Sequence, residues 1–439
     1  MSVHAVTLTP AERILSGAIR LTWAFYALGA LYIVGPVLGW SLVALVFLGN
    51  YLRPALPDTW HARTIPFGAW VWIGAMSIML VALIVAHANF ELGLAKTVKS
   101  TIGWAKGWAL LAIFPLAGAC LPIRSAVIYR AMCHVGLQTL LLLPVLMASA
   151  FTGLPEALFV SPLKAVGGPG PEFFTVQLYI TDPSNGEPRW QFYTPWAPAA
   201  GMMGVVMLLC ALEERDWRWS ACGILGALAM IFLSKSRMAL VAFAIIWPAS
   251  HLGARLFSPA LWCSGALGAL IAGLGANTLL RQASQFIETF KAARADSTRV
   301  REALGRIAVD RWWNEAPVFG HGVVERGPHL VEYMPIGSHH SWYGLLFVKG
   351  LVGAMALAVP IAVNFVECLV RAQVEPAARV GIAVLSVMLL YSFGENLEIL
   401  VYLFWPASVL LGVALRPPGT DTSGCSGRVS SRRPYPRSA

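Results

Sequence analysis

"FGAWVWIGAMSIMLVALIVAHA", residues 67–88, is longer than the ~20 apolar residues a helix needs to cross a hydrocarbon core, and it holds no Asp, Glu, Lys or Arg. Comparable apolar runs recur at about 16–34, 36–53, 104–121, 125–150, 194–213, 219–234, 237–252, 257–276, 340–366, 378–394 and 398–415. The reading is an all-α polytopic membrane protein of about twelve transmembrane helices, with both termini on one side. Composition agrees: 57% of residues are hydrophobic and 12% charged, more apolar surface than a soluble chain of this length can bury. The first residues are polar and no small-residue cleavage site follows, so the N-terminus is expected to be retained in the cytoplasm.

Short-loop Lys and Arg set the orientation. Arg53, Arg63, Arg124, Arg215, Arg218, Arg255, Arg371 and Arg379 fall in one alternate set of loops, which is placed in the cytoplasm together with a basic, disordered tail over 416–439. The opposite face then receives two long segments, 151–193 and 277–338, and function is expected there. The net charge of +10 is spread over cytoplasmic turns and the tail, which topology explains without nucleic acid. None of the seven cysteines lies in the long outer loops, so no disulfide framework or Cys-based metal site is implied.

The second outer loop is the informative one. Between Glu288 and Trp313 apolar residues recur at helical spacing, with a break at 295–298, which predicts two amphipathic helices near the membrane surface. Their Arg299, Arg301, Arg306 and Arg311 alternate with acids, as a solvated, salt-bridged face would also do. "PVFGHG", residues 317–322, reads as a tight turn whose glycines let the backbone fold back, with His321 an ordinary loop histidine.

"GSHHSWYGLLFVKGLVG", residues 337–353, follows. Ser338 is a plausible N-cap, which would place His339 and His340 in the first turn of a span, about 100° apart around its axis. The helix dipole and nearby arginines would keep an imidazole there neutral and able to accept a proton. An interfacial anchor beside Trp342 and Tyr343 is the competing account. Lys349, about two turns further in, should face the bundle interior or a water-filled cavity.

Taken together, these elements resemble the O-antigen ligase and polymerase superfamily. The matching residues are Arg299 or Arg301, then Pro317 with Gly320 and Gly322, then His339, with Gly350 and Gly353 a few turns on. Arg189 in "PRWQFYTPWAPAAG" and the Ser236-Arg237 pair in "SKSRMAL" match two further elements. The spacing to Gly350 makes His339 the family histidine, and His340 stands where Asn is usual.

The resemblance implies a single transmembrane catalytic domain over 1–415 and an active site facing the periplasm from the bacterial inner membrane. It implies transfer of O-antigen polysaccharide from undecaprenyl diphosphate to the lipid A core oligosaccharide, without metal or other cofactor. His339 or His340 would act as general base, while Arg189, Arg299 or Arg301, and Arg237 would hold the departing diphosphate. A polymerase joining repeat units, or an O-linked protein oligosaccharyltransferase, would use the same donor. A lipid-linked glycan transporter would call for internal repeats, and only one half of this chain carries a large outer loop.

Overall fold

A computed structural model describes residues 7–52, 62–182, 186–278, 280–282, 284–285, 295–337 and 340–417. Calls at His339, Ser338, 286–294 and 418–439 lie outside the described residues.

The described residues form α1 (Pro10–Arg20), α2 (Thr22–Ala27), α3 (Leu31–Tyr51), α4 (Phe67–Asn89), α5 (Leu94–Lys106), α6 (Leu110–Cys120), α7 (Ser125–Phe151), α8 (Ala197–Leu212), α9 (Trp217–Leu233), α10 (Arg237–Gly253), α11 (Pro259–Leu274), α12 (Ala295–Glu315), α13 (Ser341–Arg371), α14 (Pro376–Ser392) and α15 (Leu397–Ala414). Two small antiparallel ribbons lie between α7 and α8: β1 (Ala157–Val160) pairs with β2 (Thr175–Gln177), and β3 (Ile180–Thr181) with β4 (Pro188–Arg189). Among the described residues six helical segments are long and apolar enough to cross a membrane: 31–51, 67–89, 94–120, 125–151, 341–371 and 397–414. Four shorter apolar helices, α8, α9, α10 and α14, accompany them. The chain has the build of an all-α membrane protein.

The first expected run, 16–34, is not one helix. It breaks at Gly29, whose φ of +61° suits glycine, and a Cβ there would sit 2.4 Å from the Cβ of Ser161. The segment between α7 and α8 docks at this break: the Ser161 hydroxyl donates to the Leu28 carbonyl at 3.0 Å, and Tyr26 Oη bonds both backbone groups of Gln177 at 2.8 Å. The boundary expected between the runs 16–34 and 36–53 is not a break, since α3 runs through Pro36.

Little hydrophobic force drives helices together within lipid, so close backbone approach does the work. α6 and α15 show this most directly. A Cβ on Gly118 would lie 2.0 Å from the Val409 carbonyl oxygen, and one on Gly412 would lie 2.1 Å from that of Pro115. One end of the bundle is then tied by arginines. Arg124 grips buried Glu12 at 2.6 Å, and Arg130 takes Glu214 at 2.9 Å. Arg416, read from the sequence as the start of a disordered tail, is instead buried at 3% exposure. Its guanidinium donates to the carbonyls of Gly118 (2.7 Å) and Leu121 (2.8 Å), closing the unpaired C-terminal carbonyls of α6.

At the other end α13 is broken. Gly350 sits at φ +64°, ψ −163°, a conformation essentially reserved for glycine. Two helical bonds are lost there, from the amides of Leu351 and Val352 to the carbonyls of Phe347 and Val348. Residues 317–322 insert and restore all four groups: Pro317 and Val318 carbonyls accept from Leu351 (2.9 Å) and Val352 (3.1 Å), while His321 and Gly322 amides donate to Phe347 and Val348, both at 2.9 Å. The approach admits no side chains, because a Cβ on Gly320 would meet the Gly350 amide nitrogen at 2.5 Å and one on Gly350 the Val318 carbonyl oxygen at 2.3 Å.

α12 lies across this junction. Its Val300, Ala303 and Leu304 pack on Val331, and its Ala308 joins Ile336 and Phe347. The expected apolar stripe therefore faces protein, with Arg299 and Arg301 exposed on the outside.

The Gly350→Ala variant should be destabilised by about 1–3 kcal/mol, read as a lower Tm of the detergent-solubilised protein. An unchanged Tm would mean that the break does not require glycine.

Candidate active site

The turn Phe393–Asn396, between α14 and α15, is where two of the expected site residues, Arg301 and His340, come together. Ser341, the first residue of α13, donates its hydroxyl to the Glu395 carbonyl at 2.7 Å and accepts from the Leu397 amide at 3.0 Å. Trp196, just before α8, donates its indole N–H to Glu395 Oε2 at 2.9 Å. Trp342 bonds Ser392 at 2.8 Å. At the start of α10, Met238 packs on Gly394.

His340 is the N-cap of α13, the role expected of Ser338. Its Nδ1 accepts from the Tyr343 amide at 3.4 Å, its ring stacks on Tyr343 at 4.0 Å between centroids, and Phe393 meets it edge-on at 5.8 Å. Burial pushes its pKa down to about 4, so the imidazole is neutral at physiological pH. Desolvation is the cause, rather than the arginines and dipole expected from the sequence. A cap through Nδ1 leaves Nε2 as the protonated nitrogen, a donor. A small pocket of about 60 Å³ brings His340 together with Arg301, Gly305, Gly337, Tyr343 and Phe393.

Glu395 was not singled out in the sequence. It is 4% exposed, and burial raises its carboxyl to about 7, against the lowering influence of the Arg301 charge and the Trp196 hydrogen bond. "GENLEIL" reads locally as a short polar turn; only the depth of that turn reveals the acid's environment.

The arginines differ in kind. Arg301 shares the pocket with His340 and acts on Glu395. Arg299 is exposed on the same helix, and Arg237 is half-buried as the first residue of α10, behind the N-cap Ser236. Arg189 is buried at 7%, held by Asp182 at 3.4 Å and donating to the Ser234 carbonyl at 3.1 Å. It ties the second ribbon to the turn that carries Ser236 and Arg237.

His321 is likewise a brace. Its Nδ1 bonds the Phe347 carbonyl at 3.0 Å and its Nε2 meets Glu315 at 2.7 Å. Glu315 in turn is held at about 2 by Arg311, foremost, and by His321. Lys349 is buried at 4% and lines a separate cavity of about 350 Å³.

The architecture defined here is a helical bundle of membrane-spanning build in which Arg301 and a neutral imidazole share one pocket. Compared with known proteins, the chain matches no family model and no curated sequence.

The raised pKa of Glu395 has a signed consequence. Its stabilising contribution is complete below the ordinary carboxyl value of 4.5 and is lost as pH rises through about 7. Glu395→Gln cannot ionise but can still accept from Trp196. It should be more stable than the parent by on the order of 3 kcal/mol at pH 8 and nearly equal to it at pH 4, as read by thermal unfolding at both values. A gain of equal size at the two pH values would exclude titration of Glu395 as its source.

Proposed function

We propose that the chain is a membrane-embedded O-antigen ligase, a glycosyltransferase that moves O-antigen polysaccharide from undecaprenyl diphosphate to lipid A core on the periplasmic face of the inner membrane. The observation that carries this reading is the meeting of Arg301 and neutral His340 in one pocket at the Phe393–Asn396 turn. The sequence resemblance supplies the substrates. In the topology that goes with it, about twelve helices cross the bilayer, the outer segments 151–193 and 277–338 face the periplasm, and the tail is cytoplasmic.

The chemistry is a single displacement. The acceptor hydroxyl oxygen attacks the anomeric carbon from the side opposite the diphosphate, its proton passes to a histidine, and the bond from that carbon to the diphosphate oxygen breaks with inversion. His340 spends the lone pair of Nδ1 on its cap and offers an N–H, so the base is assigned to His339 and His340 becomes cap and donor. An Asn, the family's usual residue at His340, is also a strong N-cap, which accounts for the exchange. Arg301, Arg237 and Arg299 neutralise the leaving diphosphate, a task suited to a permanently charged, forked donor. Arg189 positions the turn that carries Arg237. Glu395, when ionised, steadies Arg301 from behind.

Transfer in proteoliposomes tests these roles. His339→Ala should reduce the rate by at least ~100-fold and Arg301→Ala by a similar factor. His340→Asn should stay within a few-fold of the parent, whereas His340→Ala should lose about 1 kcal/mol of stability. Full activity in His339→Ala would remove the base assignment. The acceptor that becomes labelled, whether lipid A core, a second lipid-linked repeat or a hydroxyl-bearing protein, separates ligase from polymerase and from protein oligosaccharyltransferase.

A further inference from the structure

Next to the Arg301–His340 pocket, and sharing Gly337 with it, lies a cavity of about 350 Å³. That size is within the roughly 300–1,000 Å³ usual for small-ligand sites. Its polar wall is made by Glu172, Lys349, Asn396 and Glu398, and its apolar wall includes Trp108 and Phe173. These residues come from the turn between α5 and α6, the segment between α7 and α8, the broken helix α13, the Phe393–Asn396 turn and α15, so the chamber is assembled by the tertiary fold.

Lys349 is the informative member. It is 4% exposed, lines the cavity, and has an electrostatic partner in Glu398 but no hydrogen bond among the described residues. An ammonium that opens into this cavity with three donors and no bonded protein acceptor is placed to donate to a ligand held there. The balance of charge says which kind. Two carboxylates against one ammonium leave the chamber formally negative, which repels a diphosphate and separates this site from the arginine-lined one. Carboxylates accept from hydroxyls, an ammonium donates to them, an amide does both, and aromatic rings cover the C–H face of a pyranose.

We propose that this chamber binds an uncharged hexopyranose unit of the acceptor and presents its hydroxyl to the adjoining Arg301–His340 pocket. The proposal deepens the glycosyltransferase reading and rests on it for the word acceptor. The sugar site itself does not depend on that reading.

Two measurements keep the failures apart. The first is saturation-transfer NMR on the full chain in detergent, with methyl glucoside and methyl galactoside as probes. At least one should show transfer, reduced about tenfold in occupancy by Glu172→Gln and by Lys349→Met, as expected for losing a charge-assisted hydrogen bond, and unaltered by Arg301→Ala. Glu172 sits on the outer loop, so Glu172→Gln keeps the test open if Lys349→Met does not fold. Absence of a signal from both sugars, or a signal that these two variants leave intact, overturns the proposal. The second is steady-state transfer, in which Glu172→Gln should raise the KM for the acceptor about tenfold and leave that for the lipid-linked donor unchanged; a raised donor KM overturns the assignment. A chain that binds the sugars but transfers no glycan would refute the glycosyltransferase reading while the sugar site stands.

Discussion

The end of this protein that carries α12 depends on a hydrogen-bond exchange within α13. A helix interrupted at membrane depth leaves backbone groups with no water to bond, which is tolerable only where protein supplies the partners. Residues 317–322 supply all four. That insertion fixes residues 317–322 against the bundle, positions α12 over the start of α13, and so sets Arg301 beside His340. Gly320 and Gly350 are consequences of the same constraint, since the two backbones approach within a distance that no Cβ would permit.

This explains what could be read in advance. The spacing of Pro317, Gly320 and Gly322 against Gly350 was visible as a pattern, and its cause was not, because no local rule pairs a turn with a helix break some thirty residues away. Uniform apolar runs such as 67–88 and 125–150 carry over into α4 and α7 with little change. The run over 16–34 does not, since its break answers to Ser161 and Tyr26, contacts made by a loop far along the chain. Ser338 ranked above histidine as a cap by propensity, yet the helix begins after His340, whose ring is also packed on Tyr343 and Phe393. Glu395 was invisible for a third reason: burial of a turn is a tertiary property.

Charge is distributed by task. Arg124, Arg130 and Arg416 spend their guanidiniums on carboxylates or helix-end carbonyls, and Arg189 does the same near the site. The outward-facing Arg299 and Arg301 differ in leaving much of their surface accessible. Counting arginines in a loop would not have separated these groups, since burial and partners make the difference.

The inserted loop also has a mechanical meaning. An interrupted helix is commonly a joint, with the two halves free to change their angle. Here the inserting residues bond the half before the break through the His321 and Gly322 amides and the half after it through the Pro317 and Val318 carbonyls. Bending at Gly350 would strain bonds on both sides at once. The interruption is therefore splinted, and any movement at this end must hinge elsewhere, with the first two turns of α13 travelling with residues 317–322 rather than bending against the rest of their own helix.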